Sequence, residues 1–88
     1  MDRVAAIRER LGNALAPESL DITDESHLHV GHPGAAGGGG HFAVEIVSNE
    51  FAGRSLLERH RLVYAALDDL MPAEIHALSI RASAPGET

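Results

Sequence analysis

Apolar residues recur along this chain with two different periods, and the changes between them mark out its elements. Val4, Ile7, Leu11 and Leu15 fall at helical spacing with Ala14 beside them, which predicts an amphipathic helix over residues 3–16. Asp2 stands where an N-cap belongs, and Pro17 lies just past the end. The period then drops to two. Leu20 and Ile22 alternate with polar residues in 19–25, and Phe42, Val44 and Ile46 do so in 41–48, which predicts two strands. A turn over 49–54 leads into a second helix. Ser55 and Glu58 have the spacing of a capping box, Leu57, Val63, Leu67 and Leu70 give a stripe over 57–70, and Pro72 stops it. Asp68 and Asp69 sit near the end of that helix, where its dipole disfavours them. Leu78 and Ile80 alternate with Ser79 and Arg81 in a third strand over 75–82, and the tail 83–88 is expected to fray.

The resulting order is α-β-β-α-β. Strands one and two, joined without a helix, should be antiparallel neighbours. Their connection, 26–40, is far longer than a hairpin needs, and long loops in small domains are more often functional or disordered. Strand two, helix and strand three form a crossover, so strands two and three should run parallel. The start of strand three then lies at the same sheet end as the 26–40 loop. His76, its second residue, is thereby brought near that loop, and alternation places it on the side of Leu78 and Ile80, facing the helices or the core edge.

The loop changes the picture because of its content. The stretch HLHVGHPGAAGGGGH, 27–41, holds four of the six histidines, and Gly37 to Gly40 permit close backbone approach. Neutral imidazole is a competent ligand for iron, zinc and copper. There is no cysteine, which excludes disulfides and any cluster or thiolate zinc site ligated by this chain's own sulfur. Two imidazoles alone make an incomplete site, so a partner has to complete it. At 88 residues the chain is read as one domain, with an ordered core of about 3–83. The net charge of −6 argues against a generic polyanion binder. No apolar run approaches the ~20 residues of a membrane span, and the charged, periodic N-terminus is unlike a signal peptide, so a cytoplasmic protein without membrane contact is expected.

The segment FAGRSLLERHRLVYAAL, 51–67, resembles the signature F-x-G-x-S-x-x-x-R-H-R-x-V-[YH] of the BolA family. DES before the loop, HF.V.IVS after it and IHALSI in strand three match as well, so the resemblance covers roughly residues 4–84. It implies an α+β fold similar to class II KH domains, a three-stranded mixed sheet with helices on one face. It further implies partnership with a monothiol glutaredoxin, the two proteins sharing a 2Fe–2S cluster with a glutathione thiolate. On that reading the C-terminal ligand maps to His76 and the loop ligand to His29 or, in close competition, His32. His27 and His41 are read as structural or idle.

The resemblance also carries a second reading, DNA binding by a transcriptional regulator through a helix-turn-helix-like segment around 51–64. Arg54, Arg59, His60 and Arg61 give that segment its basic residues, for either DNA or a docking partner. Glu50 and Glu58 interleave with them, and aromatic residues for base stacking are nearly absent. Gly34 to Gly37 spells G-x-x-G, but between strands rather than helices, so RNA binding in the KH manner is not expected. A homodimer is compatible with either reading. The H-x-H-x-x-H run suggests a metal hydrolase only superficially, because a hydrolytic site wants rigid ligands and a nearby base, and no catalytic motif appears. The chain is expected not to be an enzyme.

Overall fold

In the computed structural model, which describes residues 2–26 and 39–87, the first helix, α1, runs over Arg3–Leu15. The Asp2 carboxylate accepts the Ala5 amide as the N-cap, and Ile7, Leu11 and Leu15 form the buried stripe. The helix ends at Ala16, held in the left-handed region at φ 42° and ψ 57°, with its N–H donating to the Gly12 carbonyl. A Cβ disfavours that conformation, whereas glycine tolerates it at some cost in unfolded-chain entropy. Ala16→Gly is therefore expected to raise stability by about 0.5–1 kcal/mol in urea unfolding. An unchanged midpoint would show that the bend carries no net strain.

β1, Ser19–Asp24, pairs antiparallel with β2, Gly40–Val47, in a register from Ser19↔Val47 to Asp24↔Phe42. β3, Ile75–Ser83, adds to the other edge of β2 and runs parallel to it, giving the order β1-β2-β3. The expected α+β arrangement with a three-stranded mixed sheet is thus observed. Phe42, Val44 and Ile46 project from β2 into a core shared with α1, Phe51 and Val63. The opposite face of the sheet carries a polar trough of about 370 Å³, bordered by Asp21, Thr23, Glu45, Ser79 and Arg81.

The second helix, α2, spans Leu56–Ala66. Its capping box forms as the sequence indicates: Ser55 Oγ accepts the Glu58 amide at 3.1 Å, and Glu58 accepts the Ser55 amide at 2.8 Å. The hydrogen bonds from Ser55 hold the Glu58 carboxyl below its ordinary range. The helix is shorter than the stripe 57–70, and Asp68–Leu70 form a separate 3₁₀ turn. Its phase also differs from expectation. Leu57 is 59 % exposed, while Arg59 is buried and lines up with Val63 and Leu67 at intervals of four. Asp69, disfavoured at a helix end, is held instead by Arg10 of α1 through a contact of 2.8 Å that lowers its carboxyl pKa.

The tail is not frayed through residue 87. Ala84 is buried, and the Glu87 carboxylate accepts the Ala84 amide at 2.8 Å and the Arg59 guanidinium through two bonds of 2.6 and 2.8 Å. Among the described residues, no helix is long and apolar enough to cross a membrane.

Candidate functional site

The end of the sheet where β2 and β3 begin is built by an irregularity. Gly40 pairs with Ile75 and His41 with Ala77, so one residue of β3, His76, has no counterpart on β2. This is a β-bulge, the device by which an extra residue re-aims a side chain. Ile75 before it fills the core, and Leu78 after it faces the same way. His76 is exposed and sits beside His41, with ring centroids 5.3 Å apart and ring planes tilted by 43°. Of the two expected placements, facing the helices or at the core edge, His76 takes the edge. Simple alternation fails at this step, and the bulge places it at the rim with His41.

The described residues on either side of 27–38 are anchored on this pair. At one end Asp24 turns the chain by accepting the Ser26 amide, and Ser26 Oγ accepts the His41 amide at 3.0 Å. The Glu25 amide donates to the His41 carbonyl at 2.8 Å. At the other end Gly39 lies so close that a Cβ there would come within 2.9 Å of His76 Cβ and 3.0 Å of the Pro72 carbonyl oxygen. A residue with a side chain would push His76 away, which gives this glycine a steric reason. Beside the pair, a cavity of about 190 Å³ is bordered by Glu25, His41, Ala77 and Ser79.

The site residues named from sequence divide into three groups. His76 lies where topology put it, at the sheet end from which the 26–40 connection departs. His29 and His32, with His27, lie outside the described residues. The basic residues are not placed alike. Arg59 is 8 % exposed and turned inward, donating to the carbonyls of Arg54 and Ala82 as well as to Glu87, so it has a structural place rather than a contact surface. Arg54 donates to the Glu50 carbonyl at 2.8 Å, and Arg61 and Arg54 are exposed while His60 is half-buried. His41, expected to be structural or idle, stands beside His76 at this rim. The only signal for it was its alternation away from Phe42.

The comparisons with known proteins now bear on this geometry. The family described as BolA-like protein matches residues 11–87. The chain belongs to the BolA family. It is 46 % identical over 83 residues to BolA-like protein 1 of Mus musculus, covering 94 % of this chain and 58 % of that protein. It is 44 % identical over 86 residues to SufE-like protein 1, chloroplastic/mitochondrial, of Arabidopsis thaliana, covering 92 % of this chain and 23 % of that protein. The BolA chain thus spans less than two thirds of the length of these relatives. Its fold superimposes on the BolA domain of SufE1 from Arabidopsis thaliana with a TM-score of 0.86 at 42 % identity, covering 100 % of this chain and 98 % of that one.

The donor set of this rim, as far as it is described, is a pair of imidazoles. Among the described residues no three potential metal ligands converge, and the chain has no cysteine. What it offers there is two adjacent imidazoles, a ligand type that iron accepts when thiolates come from elsewhere.

Proposed function

We propose that this BolA chain is a non-catalytic partner protein that docks a monothiol glutaredoxin. In this reading His76 and one histidine of the segment 27–38, His29 or His32, ligate a 2Fe–2S cluster whose sulfur ligands come from the glutaredoxin cysteine and glutathione. The observation that carries the reading is the exposed His76, bulged out of β3 and touching both the strand and the segment end that frame the histidine-rich stretch. A strand-borne imidazole is a fixed ligand, and a partner that brings the thiolates completes the set. Mixed histidine and thiolate ligation raises a cluster's potential relative to all-thiolate ligation, which suits transfer or sensing.

Docking would use the rim around His76 and the exposed Arg54 and Arg61, without Arg59. The alternative of DNA binding loses Arg59 from its basic set for the same reason, and no observation in the fold favours it. Mixing the chain with a monothiol glutaredoxin, glutathione, iron and sulfide tests the proposal. A coloured heterodimer on gel filtration is the expected product. Colour that elutes only with the glutaredoxin would end the proposal.

A further inference from the structure

We infer that His41 and His76 together form a site for a single tetrahedral divalent cation, Zn²⁺, in this chain without any partner. The argument is geometric. A zinc-bound imidazole has its nitrogen about 2.0–2.1 Å from the metal, and its ring centre roughly 1.1 Å further on. Two imidazoles at a tetrahedral angle then have centroids about 5.2 Å apart, whereas a right angle gives about 4.5 Å. The observed separation is 5.3 Å with a tilt of 43°. The observed separation lies nearer the tetrahedral value than the right-angle one.

The two strands also hold the pair in place. His41 is half-buried in β2, with its amide bonded to Ser26 Oγ and its carbonyl to the Glu25 amide. His76 is backed by Gly39. A pair on two hydrogen-bonded strands is pre-organised in a way that loop histidines are not, and pre-organisation reduces the ordering cost of binding. Two protein ligands leave the remaining positions for water, so a weak, exchangeable site is expected rather than a structural one.

This site uses a residue, His41, that the shared cluster does not need. It takes His76 away from that cluster, so Zn²⁺ would compete with cluster assembly. It does not rest on the glutaredoxin reading, because the cation binds the chain alone.

The test is calorimetric titration of the full chain with Zn²⁺, in a variant where His27, His29 and His32 are all replaced by alanine. One Zn²⁺ per chain should still bind, and either His41→Gln or His76→Ala added to that background should raise Kd about tenfold or more. The imidazole NMR signals of His41 and His76 should shift together on titration. Loss of binding in the triple variant would place the cation on the loop and overturn the inference. So would an unchanged affinity on losing either His41 or His76. Circular dichroism checks that His41→Gln is folded, and exposed His76 gives a second variant where folding is not at issue.

Discussion

Glu87→Gln is expected to lower the melting temperature by roughly 5–10 °C at neutral pH, although the residue lies one position from the end of the sequence. The Arg59 guanidinium is buried among carbonyls, and Glu87 is its counter-charge, joined by bonds of 2.6 and 2.8 Å. Removing the carboxylate charge leaves a buried cation without compensation, which is worse than removing both charges. Arg59→Met keeps an apolar stem at this buried position without the charge and should destabilise less. The double variant should fall short of the sum, because the two residues act as one unit. Scanning calorimetry on the four proteins reads all of this.

The pH dependence follows in sign. The two hydrogen bonds from Arg59, with the Ala84 amide next in weight, push the Glu87 carboxyl from 4.5 down to about 2. A depressed folded value means the contribution is complete above the unfolded value of 4.5 and is lost as pH falls through about 2. The gap in melting temperature between wild type and Glu87→Gln should therefore be constant above pH 4.5 and close on going down to about 2. A gap that stays open at the acid end would mean the carboxylate acts through packing.

The second large effect is chemical rather than structural. His76→Ala should reduce the cluster that co-elutes with the glutaredoxin heterodimer by about tenfold or more and reshape its visible circular dichroism. It should shift the melting temperature of the chain alone by less than about 2 °C, as for a surface substitution. One of His29→Ala and His32→Ala should share the spectral effect, while His60→Ala should not. A cluster indifferent to His76 would remove the fixed ligand on which the proposed function depends.

Much of this molecule is legible in its residue pattern. The α1 stripe, the Asp2 cap, the Ser55–Glu58 box and the three alternating strands all follow from local periodicity and capping chemistry. The parallel pairing of β2 and β3 follows from a connection rule, and it carried His76 to the correct end of the sheet. The failures share a cause: each depends on a partner distant in sequence. Arg59 takes a core-facing position because Glu87, 28 residues on, neutralises it, and an apolar stripe cannot reveal that. For the same reason nothing in the residue pattern shows the tail tied down through Glu87, and fraying is the natural expectation. The contact of His41 with His76 is hidden in the same way, because it depends on the bulge, and a bulge inserts no recognisable residue type into β3.

That bulge sets the terms on which position 76 can vary. In a regular strand every residue is committed, by alternation, to the core or to solvent, and a change of side chain carries a folding consequence. The extra residue of β3 stands outside that bargain, since Ile75 and Leu78 fill the core without it. A lineage could exchange the residue there for another metal ligand, or abandon ligation, without repairing anything beneath it. A substitution at position 76 is therefore expected to change the chemistry of the rim while leaving the core beneath it filled.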